Sequence, residues 1–167
     1  MAYRVLKSLC VLFFLPIFVL SGCESKEETK QLITNFTSDF VAKFNDITIK
    51  GSLSVGRQGV INMSITYPDS LKNLNLSYKN SEVHITLDGL ECSADEAYLP
   101  SSGFTSVLNS VLRKAVGLPL NNNNNYIIDL DNIKYKLSAD SNGMITKIVS
   151  ENDDFSIQFL TLKNDFK

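Results

Sequence analysis

Tryptophan is missing from the 167 residues, histidine occurs once, at His84, and cysteine occurs at Cys10, Cys23 and Cys92. A Ser-His-Asp arrangement has only His84 to draw on. That residue lies in register with Glu82 and Thr86 on the polar side of an alternating run, so it reads as a solvated strand residue rather than a catalytic or metal-binding one. No glycine-rich phosphate loop is present, and no Cys/His cluster has zinc spacing. Asp129, Asp131, Asp140, Asp153 and Asp154 sit mostly in turn-like stretches, without the Asp-x-Asp-x-Asp-Gly spacing of a calcium loop. Glu91 and Asp95 come nearest to paired carboxylates, and nothing in the sequence confines them to a cleft. The expectation is a non-enzymatic protein without metal or cofactor. Positive charge is also in deficit, 16 Lys and Arg against 18 Asp and Glu, a net −2. Nucleic acid is therefore not an expected partner, and no basic patch offers an electrostatic grip on a membrane.

One long apolar run is present, from Ser8 to Leu20, preceded by Arg4 and Lys7 and containing Pro16. It is shorter than the roughly 20 residues of a membrane span. It also stops at Leu20-Ser21-Gly22-Cys23, an aliphatic residue, two small ones and a cysteine. This resembles the lipobox of bacterial lipoproteins, with residues 1–22 as signal peptide. The resemblance implies that Cys23 takes a diacylglycerol on its sulfur and becomes the first residue of the mature chain, anchored on the extracytoplasmic face of the cell membrane. At about 0.8 kcal/mol per buried CH₂, two or more acyl chains give a stable anchor. Removing 22 of 167 residues leaves 145, enough for one domain with a real core. Loss of Arg4 and Lys7 leaves 14 basic against 18 acidic residues, a net −4. Cys92 is then the one remaining free thiol, and no intramolecular disulfide is possible. Following Leu90 at strand spacing, it reads as buried.

Residues 23–31 are charged and small and read as a flexible tether. About ten residues between Cys23 and Leu32 would reach roughly 30 Å if extended, at about 3.3 Å each. Leu32, Ile33, Phe36 and Phe40 suggest a short amphipathic helix over 26–37. The period then changes to two. Phe40, Ala42 and Phe44 begin a series of about nine strand-like runs continued by Ile47 to Val55, Ile61 to Tyr67, Leu74 to Tyr78, Val83 to Leu87 and Leu90 to Ala94. Turn signals separate them, including Pro68-Asp69-Ser70 and Asp88-Gly89. A second helix is expected over 101–117: Val107, Leu108, Val111, Leu112, Ala115 and Val116 form one stripe, Ser101 or Ser102 suits the N-cap, and Gly117 ends it. Asn121 to Asn125 read as loop. Runs at Tyr126 to Leu130, Ile133 to Leu137, Met144 to Val149 and Phe155 to Leu162 close the chain, with a turn of the Asn-Gly kind at Asp140-Ser141-Asn142-Gly143 in the second gap.

Short turns between runs with one apolar face imply an antiparallel sheet covered on one side. The expected fold class is α+β: a single strongly curved antiparallel sheet, an incomplete β-barrel over residues 32–167, covered by two amphipathic helices. Asp39-Phe40-Val41-Ala42-Lys43-Phe44, Gly51-Ser52-Leu53-Ser54-Val55 and Tyr67-Pro68 resemble the Phe-x-Ala-x-Phe, Gly-x-Leu-x-Val and strand-terminal Pro of the LolA and LppX family of lipoprotein and lipid carriers. The stretch after the Pro departs from that family in lacking Trp, and a tethered Cys23 departs from soluble carriers. The inward surplus of aliphatic and aromatic positions points to a hydrophobic cavity for a lipid, an acyl chain or another hydrophobic ligand, with Ile49, Leu53, Met63, Ile65, Leu76, Ile85, Leu108, Leu112 and Tyr135 as candidate lining. The alternative is an interaction lipoprotein with a filled interior that docks a cell-envelope protein, such as a cell-wall enzyme.

Overall fold

The computed structural model describes residues 30–152 and 154–164. The expected signal peptide, Cys23 and nearly all of the expected tether lie outside the described residues. Ten strands and one α-helix follow in the order β1 (Phe36–Phe44), β2 (Ile47–Val55), β3 (Ile61–Tyr67), β4 (Asn75–Lys79), β5 (Glu82–Leu87), β6 (Leu90–Asp95), α1 (Phe104–Ala115), β7 (Asn125–Leu130), β8 (Ile133–Ala139), β9 (Ile145–Ser150) and β10 (Phe155–Phe159). Among the described residues no helix is long and apolar enough to cross a membrane.

All ten strands join one sheet in the order β6-β5-β4-β3-β2-β1-β10-β9-β8-β7. Every neighbouring pair is antiparallel, and β6 and β7 are left as edges, so the sheet does not close. The first and last strands meet in its middle, Phe40 opposite Phe159 and Ala42 opposite Ile157. The chain passes from one edge to the other through α1. Ten flat strands would span roughly 40 Å at about 4.8 Å each, whereas a 12-residue helix is only about 18 Å long. Yet Val55, Ile61 and Val83 from one half of the sheet share a single core with Ile128, Tyr135 and Leu137 from the other, and with Leu108, Val111 and Ala115 of α1. The apolar face must therefore wrap the helix.

Period two is visible in the burial of almost every strand. Phe36, Ser38, Phe40 and Ala42 point inward from β1, and Ile49, Gly51, Leu53 and Val55 from β2. Turns fall where short polar residues tolerate a left-handed backbone, with φ 48° at Asp88 and 87° at Gly89, and 48° and 69° at Asp131 and Asn132. The turn between β4 and β5 uses Asn80 and Ser81, one residue beyond the Lys79-Asn80 pair read from the sequence. Before β9 the expected reversal at 140–143 is present, with Gly143 at φ 87° and its N donating to Asp140 O at 3.1 Å, and the Asp140 side chain holds it. Its Oδ1 accepts from Asn142 N and Met144 N, both at 2.9 Å.

The expected helix over 26–37 is not formed in its described part. Gln31 and Ile33 make isolated bridges, and Phe36 already belongs to β1. Leu32, Phe36 and Phe40 are four apart, a spacing that suits a helix and, being even, a strand as well. Nine consecutive pairs with β2, from Phe36 opposite Val55 to Phe44 opposite Ile47, decide it. One α-helix, not two, covers the sheet among the described residues.

Three smaller expectations are also corrected. The helix starts at Phe104 with Gly103 as its N-cap and no side-chain cap bond, so Ser101 and Ser102 lie before it. It ends at Ala115, which turns Val116 outward to 63% exposure. Cys92 is exposed rather than buried. Pairing sets Leu53, Met63, Leu76, Ile85 and Cys92 side by side on the inner face. Burial fades along that row: Leu53 and Met63 are buried, Leu76 and Ile85 half-buried, and Cys92 sits on the open edge. Its direction follows the alternation, and its exposure follows from being last in the row.

Candidate functional sites flanking the helix

Helix α1 is seated in the concavity through Phe104, whose ring lies 5.4 Å from that of Phe155, 6.0 Å from Phe44 and 6.3 Å from Phe40. Leu108, Val111 and Ala115 continue the buried line, each fully enclosed. Helical spacing then puts Ser106, Val107 and Ser110 on one flank of that line and Asn109, Leu112 and Arg113 on the other. Each flank borders a cavity, and the two cavities share no lining residue.

The first cavity, about 580 Å³, lies at the end of the sheet where the β1–β2, β7–β8 and β9–β10 turns gather. Val107, Tyr135 and Phe155 form its buried wall, and Phe44, Leu99, Leu130 and Ile133 stand half-buried around it. Serines 101, 102, 106 and 110 add hydroxyls. Tyr135 brings a phenol whose pKa is raised by burial first and by the nearby Asp131 and Asp154 charges second. Its ring meets Phe155 edge-on at 5.9 Å.

The second cavity, about 560 Å³, lies at the opposite end, between the segment 34–35 that enters β1, the 56–59 turn, the 80–81 turn and the last turns of α1. Val55, Ile61 and Leu112 supply apolar wall, and Arg57 and Arg113 are exposed at it. Asn109, 1% exposed, and Tyr78, 6% exposed, face it with Asn109 Oδ1, Asn109 Nδ2 and Tyr78 Oη all buried and without a hydrogen-bond partner. Burial holds the Tyr78 phenol far above the ordinary range and the Glu96 carboxylate beside its hydroxyl adds to that, while the adjacent Asn109 side chain and the Arg113 charge oppose it.

A third space, about 470 Å³, is a depression on the outer polar face, bordered by Ser52, Ser54, Asn62, Ser64, Asn75, Ser77 and His84. His84 Nδ1 lies 2.6 Å from Ser93 Oγ and His84 Nε2 lies 3.6 Å from Glu82, with half of the His side chain exposed. Among the described residues no three His, Cys, Asp or Glu side chains gather to hold a metal ion.

Of the nine residues proposed from the sequence for a cavity, Ile49, Leu53, Met63, Ile65, Leu108, Leu112 and Tyr135 are buried in the common core, and Leu76 and Ile85 are half-buried against it. Tyr135 also lines the first cavity and Leu112 the second. Leu53, Met63 and Leu76 border the outer depression, and Ile49, Ile65, Ile85 and Leu108 line none of these three spaces. Cys23 lies outside the described residues. Sequence reading missed Phe44, Leu99, Leu130 and Phe155 around one cavity, Phe104 packed against Phe44 and Phe155 behind it, and Tyr78, Asn109 and Arg113 around the other. Two signals were available. Phe104 extends the apolar stripe one turn before Leu108, and Asn109 is a polar residue set against Leu108 and Leu112.

No protein-family profile and no curated protein sequence matches this chain. Among solved structures, it is similar to the crystal structure of a LolA superfamily protein from Nitrosomonas europaea, with 8% identity, 83% of this chain and 90% of that one covered, and a TM-score of 0.40. It is also similar to the crystal structure of LprF from Mycobacterium bovis, with 12% identity, 78% and 85% covered, and a TM-score of 0.32. At TM-scores under 0.5 the fold stands on this chain's own strand order and register.

Proposed function

We propose that this chain is a membrane-anchored, LolA-like lipoprotein that acts by binding rather than catalysis and takes an acyl chain or similar hydrophobic ligand in the first cavity. The observation that carries the reading is the ring of half-buried Phe44, Leu99, Leu130 and Ile133 around buried Val107, Tyr135 and Phe155. A folding chain that could have collapsed over these side chains keeps about 580 Å³ between them, within the range of about 300 to 1,000 Å³ of small-molecule sites. Each methylene moved there from water is worth about 0.8 kcal/mol. The serines and the Tyr135 hydroxyl suit the polar end of such a ligand. Leu20-Ser21-Gly22-Cys23 supports the anchor, and the strand motifs at 39–44, 51–55 and 67–68 support the likeness to lipid carriers.

The test uses the full chain extracted from membranes. Native mass spectrometry should find co-purifying lipid, and a fluorescent fatty acyl probe should bind and be displaced by it. Ile133→Arg, which brings a charge to the cavity margin where the native side chain is half-exposed, should weaken the probe about tenfold or more without unfolding the protein. No lipid and no probe binding would end the reading.

A second reading, a docking lipoprotein for a cell-envelope enzyme, is favoured by the apolar side chains left out at and just after the β6 edge, Leu90 at 76% and Tyr98 at 85% exposure. Cross-linking in native membranes that returns a stoichiometric protein partner from a lipid-free chain would put this reading first.

A further inference from the structure

Facing the second cavity are three buried polar atoms, Tyr78 Oη, Asn109 Oδ1 and Asn109 Nδ2, that make no hydrogen bond of good geometry, although the Tyr78 hydroxyl has the Glu96 and Asn109 side chains beside it, and such groups are costly unless something meets them. They sit close to the two arginines. A Cβ placed on Gly59 would meet Asn109 Oδ1 at 3.7 Å and Arg113 Cγ at 3.8 Å, and Arg57 of the same 57–59 turn lines the cavity. Tyr78 Oη has the Glu96 carboxylate and the Asn109 side chain beside it and feels, more weakly, the Arg113 charge. Neither arginine makes an ion pair among the described residues. Tyr78 stays protonated at ordinary pH and is therefore a donor, as is Asn109 Nδ2, while Asn109 Oδ1 can only accept.

We propose that this cavity binds a glycerophosphate-type group, an oxyanion with a neighbouring hydroxyl. Asn109 Nδ2 and Tyr78 Oη donate to the oxyanion, Asn109 Oδ1 accepts from the hydroxyl, and Arg57 and Arg113 neutralise the charge at the rim. Two cations outweigh the one carboxylate beside Tyr78, Glu96, and with two buried donors and one buried acceptor they match that chemistry, whereas a purely apolar ligand would leave all three buried atoms unmet. The source favoured by position is a membrane lipid headgroup. Thr34 and Asn35, where the chain enters the domain, line the cavity, and Leu120 N donating to Lys30 O at 2.7 Å fixes that entering segment. Cys23 lies seven residues before Lys30, at most about 24 Å of extended chain. The apolar wall of Val55, Ile61 and Leu112 would take the first carbons of the lipid. The choice of a lipid headgroup rests on the proposed anchor at Cys23, but the site does not depend on the reading of the first cavity, because no residue lines both.

The experiment measures binding of inorganic phosphate, glycerol 3-phosphate and monomeric dihexanoyl phosphatidylglycerol to the full chain by calorimetry, with dihexanoyl phosphatidylcholine as control. Saturable binding of the glycerol lipid, weaker for the choline lipid, and lost about tenfold or more in both Arg113→Gln and Asn109→Leu is the expected result. Glycerol 3-phosphate binding as tightly as the lipid would make the free phosphate ester the ligand, and the lipid binding alone would make it the headgroup. Arg113 is exposed, so its variant keeps the fold, and acyl-probe binding in the first cavity should not change in it. No binding of any of the anionic probes, or equal binding by wild type and Arg113→Gln, would overturn the proposal.

Discussion

Tyr78 shows what one hydroxyl does in this protein. It is buried and faces a cavity, and with no hydrogen bond of good geometry to the Glu96 and Asn109 side chains beside it, its Oη is desolvated with little compensation in the free protein. Tyr78→Phe should leave stability unchanged or raise it by up to about 1 kcal/mol, since replacing an unmet polar group with an apolar one of the same shape removes a penalty. The phenol also links stability to pH. Its folded pKa is raised above the unfolded value near 10 by burial and then by Glu96. The neutral form is thus favoured in the folded state. That contribution is fully present below about pH 10 and is lost as the pH climbs beyond it, because the unfolded chain ionises first. Urea unfolding between about pH 8 and 11 should show a shallower alkaline decline in Tyr78→Phe than in wild type, with Tyr135 keeping part of the slope. Identical slopes would mean that Tyr78 is solvated in solution.

Two glycines mark how differently elements depend on a missing side chain. On β2, a Cβ at Gly51 would stand 2.1 Å from the backbone oxygen of Ser64, because the register shift between Lys50 and Gly51 draws β3 close. Gly117 follows α1 at φ 78° with nothing within 4 Å of a built Cβ, so there the requirement is backbone conformation alone. Gly117→Ala should therefore cost about 1 kcal/mol, and Gly51→Ala about 1 to 3 kcal/mol or more, since strands rather than a side-chain tip must move. Denaturant midpoints of the two variants decide the matter, and equal losses would contradict the steric account. The strands themselves were readable because most turns are short and one face of nearly every strand is apolar. Helix α1 was readable from Val107, Leu108, Val111, Leu112 and Ala115. The mistaken helix at 26–37 came from a spacing of four that both periods share, and only pairing with β2 separates them.

At the scale of the molecule the open sheet is the governing feature. Edge strands β6 and β7 have no strand on their outer side; on β7 the Asn125 and Asp129 carbonyls accept from Asn121 Nδ2 and Lys114 Nζ, and Leu90 on β6 and Ile127 on β7 are 76% and 70% exposed. Such edges invite strand addition from another chain. Sedimentation should detect concentration-dependent association of the full chain in detergent, and Leu90→Lys together with Ile127→Lys should reduce it without shifting the urea midpoint. Association that survives both charges would locate the contact elsewhere. The same openness explains Cys92, whose partners across the inner row run from buried Leu53 to half-buried Ile85 before the sheet stops.

Alternation of side chains along a strand is local chemistry, so the sequence by itself determined that this protein is built on a one-sided antiparallel sheet, which residues face inward, and where most turns fall. Which inward residues are covered depends on where a single 12-residue helix lands on a sheet far wider than itself, and that is a matter of long-range packing. Only the tertiary structure could therefore separate the filled core at Leu108 and Ile148 from the cavity beside Ile133, and bring Tyr78 to Asn109 across 30 residues of chain.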